Sequence, residues 1–153
     1  MTWDLHLHQH LIITKTPLAL AESCTGGYAA HLLTRHPGAS TYFLGSFVTY
    51  ASSMKTSALN VDPYLIKHFT AVSQEVVIAM LQGIFSHSQA EIGGAISGIA
   101  GPDAVDAPLG TMWIATGKKN NPPSVCCLHM TGDRFSIIEQ ASQALFAAIS
   151  RLI

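Results

Sequence analysis

Leu18-Ala19-Leu20-Ala21-Glu22-Ser23-Cys24-Thr25-Gly26-Gly27 is the stretch on which the reading of this chain turns. An apolar run stops abruptly at small polar residues and two glycines, as a strand does when it delivers a hydroxyl to a turn. Tyr28-Ala29-Ala30-His31-Leu32-Leu33 follows with helical spacing. The polar cluster therefore falls at a helix N-terminus, where free backbone N–H groups and the dipole favour an anion or an oxyanion. Ser23 and Thr25 also suit plain helix capping, with the glycines as a tight turn. Both readings stand on this stretch alone.

Working outward, Pro17 breaks the chain before the strand, and the helix after Gly27 runs to about Arg35, where His36-Pro37-Gly38 stops it. Residues 42 to 50 are aromatic and β-branched and read as a second strand ending at Tyr50. Ser52-Ser53-Met54-Lys55 suits a helical turn, so Tyr50 and Lys55 lie about one turn apart beyond a strand end. Asp62-Pro63 caps a short helix to about Phe69, and Ser73 caps a longer one whose Val76, Val77, Met80, Leu81, Ile84 and Phe85 form an apolar face. Ile92 to Ser97 is a strand of small residues that leads into the loop Gly98-Ile99-Ala100-Gly101-Pro102, where a ligand or another backbone can approach closely. Gly110 to Gly117 and Ser124 to Thr131 read as a hairpin, and Gly132-Asp133-Arg134 opens a last helix. Residues 3 to 13 fit a short helix less well. The order β-α-β-α-α-β-β-β-α implies a mixed five-stranded sheet with helices over both faces. Ser23, Tyr50, Ser97 and Arg134 all fall near strand ends or a helix start, where open α/β sheets gather their sites.

Length and composition narrow the function classes. A chain of 153 residues with 48% hydrophobic and 11% charged residues is the size of one domain with a real core. A net charge of -1 argues against nucleic acid and acidic membrane surfaces as partners. Three cysteines, two of them adjacent at Cys126 and Cys127, make neither a disulfide framework nor a zinc motif. A reducing cytoplasm is the expected compartment, since no leader pattern or membrane-length apolar run is present. His6, His8 and His10 alternate near the start, but no carboxylate or cysteine follows at ligand spacing, so no metal is assigned.

A serine hydroxyl becomes a useful nucleophile when a base takes its proton, and Lys55 follows a strand in a lysine-poor sequence. Such a lysine must be neutral part of the time, through burial or a nearby cation, for which Arg134 is the candidate. Ser52-Ser53-Met54-Lys55 also matches an S-x-x-K pattern that places serine and lysine on one helical turn, although its companion S-D-N and K-T-G elements are absent. Arg134, at a helix start, suits a carboxylate or phosphate, and Ser97 a turn hydrogen bond.

These residues resemble the CinA C-terminal domain family, whose stand-alone members include nicotinamide mononucleotide amidases. The resemblance rests on Ala21-Glu22-Ser23-Cys24-Thr25-Gly26-Gly27, Pro37-Gly38-Ala39-Ser40, and Phe47-Val48-Thr49-Tyr50 with Lys55 five positions on. It continues in Ala71-Val72-Ser73, Ser97-Gly98-Ile99-Ala100-Gly101-Pro102, Pro108-Leu109-Gly110-Thr111 with Trp113, and Gly132-Asp133-Arg134. It implies a three-layer α/β/α sandwich on a mixed, mostly parallel five-stranded sheet, and a homo-oligomer. It further implies an amidase without metal or cofactor, with Ser23 as nucleophile, Lys55 as base and Tyr50 in support. Thr25, Gly26, Gly27, Ser97, Gly98, Gly101 and Arg134 would bind a pyridine nucleotide, the N–H groups around Thr25 to Gly27 holding the oxyanion and Arg134 or the Gly98 to Gly101 loop the phosphate. In two places the chain departs from the family: its N-terminal helix is abbreviated, and Asp103-Ala104-Val105-Asp106-Ala107 replaces a glycine-rich, lysine-containing loop. The loop bears on substrate preference and leaves two rivals, a degenerate paralogue that binds without turnover and an amidase or esterase for other small substrates.

Overall fold

The computed structural model describes residues 1–153, and strand β1 (Leu18–Glu22) runs through its middle. All five β1 residues are buried, as a strand covered on both faces must be. Leu18 and Leu20 point into one apolar layer with α1 (Trp3–Thr14), α2 (Tyr28–Thr34) and α6 (Arg134–Ser150). Ala19 and Ala21 point into the other, against α3 (Ser52–Leu59) and α5 (Gln74–His87), with α4 (Pro63–Phe69) packed on α5. The period-2 alternation sends Glu22 toward α2, and the next residue, Ser23, is free to face the α3 side.

The remaining strands are β2 (Phe43–Val48), β3 (Ile92–Gly98), β4 (Thr111–Lys118) and β5 (Ser124–His129), and the sheet order is β2-β1-β3-β4-β5. β1 pairs in parallel with both β2 and β3, while β4 pairs antiparallel with β3 and with β5. Four strands thus point one way and β4 alone the other, a mixed and mostly parallel sheet between two helical layers. The chain leaves β1 for β2 over one face and returns to β3 over the other. Its topological switch point lies between β1 and β3, where the loops after the two strands diverge and leave a crevice.

Boundaries differ from the sequence reading by a few residues. The second strand ends at Val48 instead of Tyr50, and the hairpin strands end at Lys118 and His129. The small residues of β3 serve packing on both sides. A Cβ on Gly93 would meet Leu81 of α5 at 2.8 Å, and one on Gly94 would meet Ile149 of α6 at 2.7 Å. Close approach is therefore by helices along the strand, and by a cleft only past its end. The N-terminal helix runs from Trp3 to Thr14, and its buried stripe is Asp4, Leu7 and Leu11. A carboxylate inside that stripe is what blurs its apolar period. Of the three alternating histidines, His8 stacks on His36 with ring centroids 4.8 Å apart and contacts the Tyr42 hydroxyl at 3.0 Å, while His6 lies edge-on to Trp3. No helix is long and apolar enough to cross a membrane.

Candidate active site

Past the end of β1 the chain turns at Ser23 to Gly27 before entering α2, and the geometry of that turn is set by Glu22. Its carboxylate is fully buried with no cation beside it, and five donors satisfy it. Oε2 accepts from the Thr25 hydroxyl at 2.8 Å, Gly27 N–H at 3.0 Å and Ala29 N–H at 3.1 Å. Oε1 accepts from Ala30 N–H and from the Ser46 hydroxyl of β2, both at 2.9 Å. The anion that the α2 N-terminus meets is therefore the chain's own, and of the N–H groups expected to serve an oxyanion around Thr25 to Gly27, that of Gly27 is taken by it. Thr25, Gly26 and Gly27 do not border the cleft; they build the turn, with Gly26 at φ 59° and Gly27 at φ 98°, where a side chain would be strained.

On the other face of β1, Ser23 Oγ meets Lys55 Nζ at 2.8 Å. Lys55 is 1% exposed and reaches in from the first turn of α3. Its amine also donates to the carbonyls of Thr49 at 2.8 Å and Tyr50 at 3.3 Å, in the segment joining β2 to α3. A neutral amine has two N–H groups and one lone pair, which match two carbonyls and one hydroxyl proton; the ammonium form fits the same three partners with the hydroxyl as acceptor. A proton can cross between Ser23 and Lys55 without any side chain moving. Burial pulls the Lys55 pKa from 10.5 down to about 8. Of the two causes the sequence left open, burial and the Arg134 charge, it is burial that lowers it. Ser52, the other serine at reach in sequence, is exposed and has no bond to Lys55.

A cleft of about 300 Å³ opens over this pair, between the loops that follow β1 and β3. Tyr50 and Arg134 stand on one side of it and are joined by a 3.0 Å bond from the guanidinium to the phenol oxygen. A second guanidinium N–H donates to the carbonyl of Gly101. Gly98 and Gly101 form the β3 side, with Gly101 at φ 90°. A Cβ at Gly98 would collide with Met112 and the Thr111 carbonyl, so glycine there answers to strand β4. Ser97 borders the cleft too, but its hydroxyl donates to the Ala71 carbonyl at 2.7 Å. Asp103, Val105 and Asp106 line the mouth. Cys24, next to Ser23, has its thiol pushed up to about 12 by burial, so it stays protonated and is no thiolate nucleophile.

Ser23, Lys55, Tyr50, Ser97, Gly98, Gly101 and Arg134, drawn from six segments of the chain, therefore meet at one cleft. Sequence reasoning missed the part taken by Glu22 and by the Thr49 and Tyr50 carbonyls. An acid ending an otherwise apolar strand, just ahead of a helix start, is the signal that finds the first; the carbonyls leave no trace in residue identity.

The profile of the family described as "CinA C-terminal domain" matches residues 2–153. The chain is 44% identical over 118 residues to a protein of Pseudomonas putida named nicotinamide-nucleotide amidohydrolase PncC, which covers 76% of this chain and 74% of that one. It is 38% identical over 144 residues to a CinA-like protein of Leptospira biflexa serovar Patoc, covering 92% of this chain and 34% of the relative. The chain thus spans about a third of the length of such CinA-like relatives. Among solved structures, a competence-damaged protein (CinA) superfamily protein from Escherichia coli superposes with a TM-score of 0.93 at 29% identity, over 99% of this chain and 88% of that one. The competence damage-inducible protein A (ComA) from Klebsiella pneumoniae gives a TM-score of 0.93 at 28% identity, over 97% and 93%. By its sequence over all but the first residue, and by its fold, the chain belongs to the CinA C-terminal domain family.

Proposed function

We propose that the protein is an amidohydrolase that converts the carboxamide of nicotinamide mononucleotide to a carboxylate, releasing ammonia. The observation that carries this reading is the buried Ser23–Lys55 pair, 2.8 Å apart and lining a cleft of about 300 Å³. The name of the Pseudomonas putida relative supplies the substrate class.

In this mechanism neutral Lys55 takes the Ser23 proton as Oγ attacks the carboxamide carbon. The tetrahedral intermediate then expels its nitrogen, which leaves as ammonia with the proton that Lys55 returns. Water, deprotonated by the same amine, attacks the acyl-serine and frees the carboxylate and the Ser23 hydroxyl. Gly27 N–H is committed to Glu22 and Ser23 N–H to the Ile96 carbonyl, so neither serves the oxyanion. Cys24 lines the cleft and its N–H bonds no other residue, so it is the donor nearest to hand for that role, with Gly26 N–H given to the Ser23 carbonyl and Thr25 set back from the cleft. Arg134 has N–H groups left over after Gly101 and Tyr50, and these hold the phosphate.

The test is ammonia release from nicotinamide mononucleotide, with NAD and simple amides run beside it. The reading expects turnover of the mononucleotide above the others. Binding without ammonia would instead favour a catalytically idle relative, and faster turnover of simple amides a different amidase.

A further inference from the structure

The connection between α4 and α5 is only four residues long, Thr70 to Ser73, and its Ala71 and Val72 line the cleft above Ser23. Thr70 holds φ 66° and ψ 166°. That region is populated almost only by glycine, and a β-branched residue stays there only where its surroundings over-determine it. Here they do, because three successive carbonyls each accept a hydroxyl. Ser73 Oγ donates to the Thr70 carbonyl at 2.9 Å, Ser97 Oγ to that of Ala71 at 2.7 Å, and Thr70 Oγ1 to that of Val72 at 3.3 Å. Thr70 Oγ1 also accepts from Val72 N–H at 3.3 Å. The ties from Thr70 and Ser73 are internal and travel with the segment. The Ser97 tie comes from β3, 26 positions away, and is the shortest of them.

We propose that Ser97 is a positioning residue: it anchors the strained Thr70–Val72 segment to the sheet as the wall of the active cleft, and does not itself donate to the substrate. A serine hydroxyl has one proton, and that of Ser97 is spent on Ala71. Without the anchor, Thr70 is free to relax out of its strained conformation, and the wall moves with it. The effect falls on substrate fit and leaves the Ser23–Lys55 pair in place, because Ser97 bonds to neither. The assignment rests on the proposed amidase reaction for its kinetic test but not for its test of strain.

Ser97→Ala is expected to raise KM for nicotinamide mononucleotide about tenfold, the scale of one lost hydrogen bond, with kcat held within about threefold. Thr70→Gly accepts the same backbone angles without strain, so the wall has no drive to move. In the double variant Ser97→Ala/Thr70→Gly, KM returns to within about threefold of wild type. If the double variant keeps the high KM of Ser97→Ala, Ser97 serves the ligand directly and the proposal is overturned. Melting temperature decides the strain independently of any substrate. Thr70→Gly is expected to melt above wild type, whereas Thr70→Val, which keeps the β-branch and loses the hydroxyl, melts below it. A Thr70→Gly protein that melts as low as Thr70→Val overturns the proposal even if wild type proves inactive on the mononucleotide. Absent turnover with the melting order as expected sinks the reaction and leaves the strained wall standing.

Discussion

Around the Lys55 nitrogen stand two carbonyls and one hydroxyl, and burial holds its pKa near 8. At pH 7 about one amine in ten is then neutral, against fewer than one in a thousand for an ordinary lysine. The kcat/KM of the wild type should rise about tenfold per pH unit below about 8 and level off above it. A profile flat from pH 6 to 9 would remove Lys55 from proton transfer. The sign for stability follows from the same depression. Burying the charged form costs stability fully below about 8, and the cost is relieved as pH rises toward the ordinary 10.5. Lys55→Met should accordingly gain on wild type more at pH 6 than at pH 9, as read by denaturant midpoints. Lys55→Arg keeps the charge but cannot act as a base; it should lose turnover by about 10² or more while a thermal shift with the mononucleotide persists. Arg134→Ala should raise KM for the mononucleotide well above its effect on the dephosphorylated riboside, and equal effects on both would argue against a phosphate contact. Ser23 and Lys55 were legible as a pair because their types and the family pattern single them out. Which of burial and the Arg134 charge depresses the lysine was not, since burial belongs to the fold and a one-dimensional reading cannot weigh it against a cation.

At the scale of the element, two buried carboxylates tie helices to their neighbours, and both appear in sequence merely as acids among apolar residues. Glu22 joins β1, β2 and α2 through five donors. Glu22→Gln sets an amide NH₂ against some of those donors, at a cost of about 1–3 kcal/mol per orphaned group. We expect a lower melting temperature together with reduced kcat, because Ser23 is the next residue on the same turn. Undiminished kcat in a folded Glu22→Gln protein would show the turn to be fixed without the carboxylate. Asp4 is the second hub, accepting from Arg35 at 2.7 Å and Gln143 at 2.8 Å and pairing with His36 at 2.8 Å, so that α1, α2 and α6 converge on it. Burial opposes ionisation there, but the hydrogen bonds from Gln143, His36, Thr2 and Arg35 outweigh it and hold the carboxyl well below the usual carboxylate range. Its contribution is present above the ordinary value of 3.8 and is lost as pH falls below it. Asp4→Asn should therefore lose stability at pH 7 and show a shallower further loss on acidification, measured by urea unfolding at pH 7 and pH 3. Helix existence was legible from caps and spacing, as with Asp62 before α4 and Ser73 before α5. The buried face of α1 was not, because a carboxylate occupies a position where the apolar period calls for leucine.

At the scale of the molecule, the site exists because the chain changes direction between β1 and β3, which sets the Ser23 turn opposite the Gly98 to Gly101 loop. That much was legible in outline. The alternation of strand and helix gave the layers, and the polar stops marked the sheet end where they gather. Which stops turn inward was not legible, since Gly26 and Gly27 look as site-like in sequence as Gly98 and Gly101, yet only the latter two reach the cleft. Acylation of Ser23 with Lys55 as its base is the central claim. The most direct measurement is rapid-quench mass spectrometry of the wild type mixed with nicotinamide mononucleotide, beside Ser23→Ala and Lys55→Arg. A transient acyl adduct is expected on the peptide that carries Ser23, with ammonia released in step, and neither in the two variants. An adduct on the Ser52 peptide, or undiminished ammonia release from Ser23→Ala, would contradict it.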